Sequence, residues 1–362
     1  MSDQSFEAYC EAGRQRALDL GNRGPATFDE HGRLTQDILD AYYRCGFYVF
    51  TGVVDADEIA ELTQEFESVL ENAPVNIGSK VDRNGQSVRH QYYTLSNDNE
   101  AVAKGEPSVV GLISHPLMMM DSALRLYGHP DLLRIAASVH GEDFVPFHES
   151  IFHKGAGEGP PTNWHQDGRT HWDETGRALE QPDGTGKRHG YNLSVACSQC
   201  TPANALWVVP GSHREWCLAN GGEFPSISER LPDAVPALLE PGDCGMVNRS
   251  SLHGSYANRS PDRRVSVLVG YHNRDSAIGT ETTNVHAFPI PNKKKDICYD
   301  ENYVLRRARM IPLAIDARRQ HFLNETPFVY QGTWIGSANW NEETRAEIAQ
   351  PGDEYWRRDI TL

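Results

Sequence analysis

Three His-x-Asp pairs in this sequence could each present an imidazole and a carboxylate to one metal ion. They lie at residues 129–131, 165–167 and 171–173. In a β-strand, side chains two residues apart point to the same face, so a pair on a strand can converge on a single ion. The spacing alone therefore offers three candidate metal sites.

The first pair is expected to be structural. His129-Pro130-Asp131 stands where an apolar helical pattern begins, with the proline suited to the first turn and the aspartate to capping. We therefore expect it to begin a helix over residues 132–139.

The other two pairs are harder to separate. His165 and Asp167 follow a Gly/Pro-rich loop in β-rich sequence, whereas His171 and Asp173 lie in a more polar segment, residues 169–188, that is typical of an exposed loop. Local sequence favours His165 and Asp167 as metal ligands but keeps His171 and Asp173 as an alternative.

A third imidazole lies downstream at His253, with the hydroxyl of Ser255 two residues later and Arg264 eleven residues later, at the start of a β-branched run. Two histidines and one carboxylate on one side of an ion form the facial triad of non-haem Fe(II) oxygenases, which leaves positions for a bidentate co-substrate and dioxygen. A guanidinium matches carboxylate geometry and could hold the far end of that co-substrate.

The elements that must position these residues change character along the chain. Apolar residues recur at helical spacing over residues 35–45 and 55–70, with a short β-rich run between them at 46–50. From about residue 145, β-rich runs alternate with turns, and such strands without intervening helices predict an antiparallel sandwich or barrel. The clearest runs are 147–153, 191–196, 206–209, 243–247 and 265–271. The tail beyond residue 272, with one helical stretch at 303–309, is expected to pack on this core.

Composition and charge limit the classes of partner. The 362 residues include 34 Lys and Arg against 50 Asp and Glu, a formal net charge of −16. An acidic surface repels phosphate backbones and anionic lipids, so we expect a small-molecule substrate and no nucleic-acid or membrane partner. The charged N-terminus without an apolar h-region, and seven cysteines without a repeated pair motif, predict a cytoplasmic protein with reduced thiols.

Five ordered pieces of the chain resemble the phytanoyl-CoA dioxygenase (PhyH-like) family of Fe(II)- and 2-oxoglutarate-dependent oxygenases. The pieces are 43–60, 164–167, 206–214, 241–243 and 253–255 with Asn258, Ser260 and Arg264, and the likeness covers about residues 35–272. It implies a mainly β fold with helices, a double-stranded β-helix (jelly roll) core. We expect one oxygenase domain, with an N-terminal helical part at about 1–140, the core at about 141–275 and a C-terminal extension at about 276–362.

Carried over position by position, the resemblance implies the iron ligands and the co-substrate anchor. His165, Asp167 and His253 match the ligands of Fe(II). Arg264 matches the anchor of the 2-oxoglutarate C5 carboxylate, and Ser255 matches a hydroxyl that commonly assists it.

Two assignments in the co-substrate site, the choice of arginine and the residues of the strand before the iron motif, follow less directly from the resemblance. Arg263 is the rival for the anchor, and strand alternation, which groups Arg264 with Ser266, favours Arg264. The strand before the iron motif often supplies a Gln and an Asn in this family. Here it carries His148 and Ser150, which we expect to replace those contacts.

The implied activity is O2-dependent oxidation of an unactivated C–H bond, by hydroxylation, desaturation or cyclisation, with 2-oxoglutarate converted to succinate. A carboxylate at Asp167 disfavours halogenation, since no ligand position is vacated for chloride. We expect a role in secondary or amino-acid metabolism.

Two alternative functions are disfavoured. Arg264 argues against a cupin-like metalloenzyme that does not use 2-oxoglutarate, and the three retained ligands argue against a catalytically silent jelly-roll binding protein. The sequence is compatible with both a monomeric and a homodimeric protein.

Overall fold

Two antiparallel β-sheets from the central part of the chain enclose the candidate site. This computed structural model describes residues 3–88, 92–96, 108–146, 149–167, 171–173, 175–177, 179, 190–284 and 295–349. In the described part of the chain, no helix combines the length and the apolar character needed to span a bilayer.

The larger sheet carries nine strands among the described residues, all antiparallel except the first pair. Its order is β1 (Arg23–Gly24), β2 (Phe47–Phe50), β11 (Cys244–Asn248), β8 (Tyr191–Ala196), β13 (Arg264–Asn273), β6 (Ser150–Lys154), β4 (Val109–Ser114) and β3 (Tyr93–Ser96), with β5 (Phe144–Pro146) also on β13.

The smaller sheet is antiparallel and has the order β10 (Val235–Pro236), β9 (Trp207–Val208), β12 (His253–Ser255) and β7 (Thr162–His165). A separate hairpin pairs β14 (Glu281–Asn284) with β15 (Lys295–Cys298). The two larger sheets form the jelly-roll core that the sequence predicted, and within the described residues they do not close into a barrel.

Strand alternation divides the large sheet into a helix-facing side and a cavity-facing side. On β13, Val265, Val267 and Val269 belong to the main hydrophobic core, whereas Arg264 and Ser266 line a cavity between the sheets. Both faces of the sheet are therefore covered, which explains why β13 is buried along nearly its whole length.

Helices surround this core. They are α1 (Asp3–Asp19), α2 (Gln36–Cys45), α3 (Ala56–Glu71), α4 (Asp121–Tyr127), α5 (Pro130–His140), α6 (Arg274–Ala277), α7 (Glu301–Ala308), α8 (Met310–His321) and α9 (Glu342–Ala349).

The Asp55 carboxylate accepts the Glu58 N–H at 2.8 Å and caps α3. At α5 the expected cap is wrong in one detail: the His129 imidazole, through Nδ1, accepts the Asp131 N–H, so the histidine is the cap.

Helices of the C-terminal part pack on the N-terminal helices through buried contacts. The Arg318 guanidinium donates to both carboxylate oxygens of Glu58, at 2.6 and 3.0 Å. One hydrophobic cluster contains Ile38, Val267 and Leu313, from the N-terminal, central and C-terminal parts. These shared contacts are the arrangement expected for one domain; its internal boundaries stay a prediction.

Candidate active site

Two neighbouring strands of the small sheet bring two histidines together. His165 ends β7, His253 begins β12, and the two residues are direct partners in the antiparallel ladder. Their imidazole centroids lie 4.2 Å apart. Asp167 follows two residues after His165, and its N–H donates to the Arg249 carbonyl at 2.9 Å, which fixes the backbone that carries the carboxylate.

The three side chains form a compact donor set. Nε2 of His165 lies 3.8 Å from Oδ1 of Asp167, and Nε2 of His253 lies 3.9 Å from Oδ2. Within the described residues, this is the one cluster of His, Cys, Asp and Glu side chains that could hold a metal ion, with all its donor atoms within 4.8 Å of one another. The distances leave room for one ion between them.

Backbone carbonyls set the tautomers of both imidazoles. Nδ1 of His165 contacts the Asn163 carbonyl at 2.7 Å, and Nδ1 of His253 contacts the Ser251 carbonyl at 2.8 Å. Because a carbonyl only accepts, Nδ1 carries the proton in each ring and Nε2 presents its lone pair towards Asp167.

Burial of His253 also favours the neutral imidazole that a metal ion binds. Desolvation, and then the neighbouring His165, lower the pKa of His253 to about 4, so this imidazole is neutral at neutral pH. Two neutral imidazoles and one carboxylate are the donor set of the facial triad, so the site fits Fe(II).

The rival pair is not arranged as a metal site. The Asp173 carboxylate accepts three hydrogen bonds from its own loop, from the N–H and hydroxyl of Thr175 and from the N–H of Arg177. His171 is buried, with Nδ1 3.0 Å from the Ser250 hydroxyl. The alternative that the sequence left open is therefore set aside by geometry.

A cavity of about 310 Å³ lies between the inner faces of the two sheets and includes the metal-binding group. Its apolar wall is formed by Leu112, Phe152, Leu206, Ala237, Leu239, Val247 and Leu268. Its polar and charged lining consists of Thr162, His165, Asp167, Asn192, Ser194, Cys200, Asn248, Arg249, His253, Ser255, Arg264 and Ser266.

Arg264 occupies the cavity, and Arg263 does not. The Arg264 side chain is buried and donates through Nη1 to the Asn204 carbonyl at 2.9 Å. Arg263 points to the opposite face, where its half-exposed guanidinium pairs with Glu67. Ser255 and Ser266 also line the cavity. Strand alternation thus predicted which of the two arginines faces the cavity; the role of Arg264 as anchor stays a prediction.

The strand β6 carries Ser150, one of the two residues expected at the C1 side of the co-substrate. His148 lies outside the described residues. Ser150 is buried but is not among the cavity-lining residues; Phe152 lines the cavity on this strand. Ser150 lies two residues further along the same face, at the level of Leu268. The contacts expected from His148 and Ser150 to the C1 side of the co-substrate therefore stay predictions.

Asn192 and Arg249 are among the polar residues that line the cavity and that the sequence did not single out. Oδ1 of Asn192 is buried without a hydrogen-bond partner in the described structure. Asn192 alternates on β8 with the core residues Tyr191 and Leu193, so the period-two pattern could have pointed to it. Arg249 stands in a turn, where no local period applies.

Other motifs of the resemblance are structural. The Asp243 carboxylate accepts the N–H groups of Gly52 at 2.8 Å and Glu240 at 3.0 Å, which joins the turn before β11 to the end of β2. Nε2 of His213 lies 3.1 Å from the Tyr43 carbonyl, and burial lowers the pKa of His213 to about 4. Both side chains hold the framework around the site.

Comparison with known proteins shows what the chain is similar to. The model of the family described as phytanoyl-CoA dioxygenase (PhyH) matches residues 42–266. A multifunctional dioxygenase of Penicillium brasilianum, prhA, is 24% identical over 66% of this chain and 72% of its own length. An ectoine dioxygenase of Halomonas elongata is 27% identical over 71% of this chain and 76% of its own.

A solved structure shares the fold. EctD from S. alaskensis, crystallised with 2-oxoglutarate and 5-hydroxyectoine, superposes with a TM-score of 0.54 at 19% identity, over 78% of this chain and 91% of that one. The same protein with bound Fe gives a TM-score of 0.52 at 20% identity, over 69% of this chain and 81% of that one.

Proposed function

The chain belongs to the phytanoyl-CoA dioxygenase family and is a non-haem iron- and 2-oxoglutarate-dependent dioxygenase, and we propose that it oxidises an unactivated C–H bond of a small molecule. The observation that carries the proposal is the convergence of His165, Asp167 and His253 on a cavity that also contains Arg264. Hydroxylation, desaturation and cyclisation are the reactions that this site would support.

The hydrogen bonds of the two imidazoles indicate which nitrogen of each would bind the metal. His165 and His253 would bind Fe(II) through Nε2, because their Nδ1 atoms are committed to backbone carbonyls. Asp167 would supply the carboxylate ligand. When bound, Fe(II) supplies the redox chemistry that couples the oxidative decarboxylation of 2-oxoglutarate to oxidation of the substrate.

Arg264 would bind the distal carboxylate of 2-oxoglutarate. Its guanidinium is buried, so a carboxylate partner meets little competition from water, and the planar fork allows two parallel hydrogen bonds. The hydroxyls of Ser255 and Ser266 line the same cavity and are available to the co-substrate. Asn192 is our candidate for its C1 side, since it lines the same cavity and its amide Nδ2 would donate to the carboxylate.

The apolar wall has two functions in this account. Phe152, Leu239 and Leu268 exclude water from the space beside the metal-binding group. They also provide a surface on which an apolar part of a substrate can pack, so that a C–H bond is held close to the reacting centre.

The class of substrate is supported by the relatives. Multifunctional dioxygenases of fungi and ectoine dioxygenases of bacteria both match most of the chain. We therefore propose a small-molecule substrate of secondary or amino-acid metabolism. We also propose a cytoplasmic location, which the free thiols of all seven cysteines support.

Succinate release from labelled 2-oxoglutarate tests the proposal. The purified protein is supplied with Fe(II), ascorbate and O2 and a panel of amino acids, peptides, terpenoids and acyl compounds. A compound that stimulates succinate release and gains or loses the expected mass supports the proposal. Product formation that needs Fe(II) but proceeds without 2-oxoglutarate would instead identify a cupin-like enzyme.

A further inference from the structure

A buried amide, that of Gln166, stands between the two metal-binding residues of its own segment, His165 and Asp167. Successive side chains of an extended segment point to opposite faces. His165 and Asp167 line the cavity, whereas the Gln166 side chain bonds to backbone behind it, in two other segments of the chain. The proposed function gives this amide no role.

The hydrogen bonds of Gln166 involve both ends of its amide. Nε2 donates to the carbonyls of Glu215 and Ser250, at 2.7 Å each, and also lies 3.2 Å from the Ser212 carbonyl. Oε1 accepts the Cys217 N–H at 2.8 Å. Because carbonyls only accept and a backbone N–H only donates, these partners fix the orientation of the amide.

Gln166 joins the two segments that carry the metal ligands. Strand β7 ends at His165, so its ladder to β12 does not extend to Asp167. The bond from Gln166 to the Ser250 carbonyl continues the connection, three residues before His253. Oδ2 of Asp167 lies 3.9 Å from Nε2 of His253, and a shift of either segment would change that distance.

Ser212, in the loop that follows β9, adds a second link to the segment of His253. Its carbonyl lies 3.2 Å from Nε2 of Gln166. Its hydroxyl accepts the Leu252 N–H at 2.8 Å and donates to the Val209 carbonyl at 2.6 Å. The loop therefore contacts both ligand-bearing segments, one through Gln166 and the other next to the histidine.

We propose that Gln166 is a positioning residue of the metal centre, whose amide holds Asp167 and His253 at the separation at which one metal ion contacts both. The inference rests on the proposed function. Gln166 would act through the backbone of the two segments and without touching the metal. Side chains that hold metal ligands in place typically contribute about 10- to 100-fold to metal affinity.

The experiment measures metal binding by the full chain and needs no turnover. Gln166→Met keeps a similar side-chain length and removes the amide. Gln199→Met is the matched control, since it removes an exposed amide that donates to Glu240. Arg318→Met removes the buried pair with Glu58 and shows what a loss of stability does by itself. Anaerobic titration gives the Fe(II) dissociation constant, and electron paramagnetic resonance of bound Mn(II) reports the arrangement of its ligands.

We expect Gln166→Met to weaken Fe(II) binding by about tenfold and to change the Mn(II) spectrum at saturation, while both controls stay within about twofold of wild type. If Gln166→Met does not fold, Ser212→Ala decides the question. It removes the acceptor of the Leu252 N–H and should weaken Fe(II) binding by more than about threefold; a smaller change would contradict the inference.

Three results with folded Gln166→Met would overturn the inference. Weakening of Fe(II) binding by less than about threefold would show that the amide is not needed to position the ligands. An equal weakening in Arg318→Met would assign the effect to lost stability. An unchanged Mn(II) spectrum at saturation would mean that the ligands keep their arrangement without the amide. Wild type that binds neither Fe(II) nor Mn(II) contradicts the proposed function itself, and the inference with it.

Discussion

Arg264 and Lys154 are direct cross-strand partners on β13 and β6, so two buried cationic side chains lie next to each other at one end of the large sheet. Nζ of Lys154 donates to the carbonyls of Pro160, at 2.7 Å, and Tyr256, at 2.5 Å. Burial, and secondarily the charge of Arg264, lower the pKa of Lys154 to about 7. The framework beside the proposed co-substrate anchor therefore contains a group that titrates near neutrality.

This relationship predicts a pH-dependent stability that depends on Lys154. The unfolded chain keeps the ordinary lysine pKa, so between about pH 7 and about pH 10 it binds more protons at this site than the folded chain does. The free energy of unfolding should therefore rise with pH in this window, by at most about 1.4 kcal/mol per pH unit from this group. Denaturant unfolding at pH 7, 8 and 9 should show a steeper rise for wild type than for Lys154→Met, whereas parallel curves would contradict the assignment.

Two adjacent arginines, Arg263 just before β13 and Arg264 at its first position, should differ sharply in their effect on the affinity for 2-oxoglutarate. Arg264→Gln removes the buried partner of the distal carboxylate, and losing such a charge pair costs about 2–5 kcal/mol, or roughly 30- to 4,000-fold in affinity. Arg263→Gln removes a half-exposed pair with Glu67 outside the cavity and should change that affinity by less than about twofold. Calorimetry of 2-oxoglutarate on the Mn(II)-loaded protein measures both; the reverse ranking would mean that the register is one residue off.

The two competing His-x-Asp pairs predict opposite metal contents. Asp167→Ala removes one of three donors and should weaken Fe(II) binding by at least about 100-fold. The fold should persist, because the backbone bond from residue 167 to the Arg249 carbonyl does not need the carboxylate. Asp173→Ala removes only loop hydrogen bonds and should leave the metal content unchanged. Anaerobic Fe(II) titration, with melting curves as the folding control, decides between them; iron lost only in Asp173→Ala would restore the rival pair.

Removal of one buried arginine should loosen the C-terminal part from the N-terminal helices. Arg318→Met leaves the Glu58 carboxylate buried and without its guanidinium, which costs about 3–5 kcal/mol of unfolding free energy. The neighbouring Arg319 is largely exposed and pairs with Asp316, so Arg319→Met should cost less than about 1 kcal/mol. Urea unfolding compares the two, and equal costs would show that the buried pair does not hold the C-terminal helices in place.

The parts of the fold that the sequence predicted are those governed by local periodicity. The strand over 191–196 has its expected bounds, and α2 begins after Thr35 and ends before Gly46, whose positive φ of 77° suits a glycine. The choice of Arg264 over Arg263 also followed from alternation along one strand.

Long-range packing governs what the sequence did not predict. Helix α1 has no strong apolar period; its Tyr9 stacks on Trp207 of the small sheet with ring centroids 4.7 Å apart, so a tertiary contact supports it. Helix α8 contains Pro312, which usually opposes a helix but is tolerated in the first turn. Arg249 reaches the site because its turn lies against Asp167, distant in sequence, and no local pattern records that contact.

The most direct test of the central claim is the visible absorption that appears when Fe(II) is chelated by a 2-oxo acid. Wild-type protein titrated anaerobically with Fe(II) in the presence of 2-oxoglutarate should develop the band and saturate at one iron per chain. The band should be absent when succinate, which lacks the keto oxygen, replaces 2-oxoglutarate, and absent in His253→Ala. A band of equal intensity in His253→Ala, or none in wild type, would contradict a ferrous centre formed by His165, Asp167 and His253.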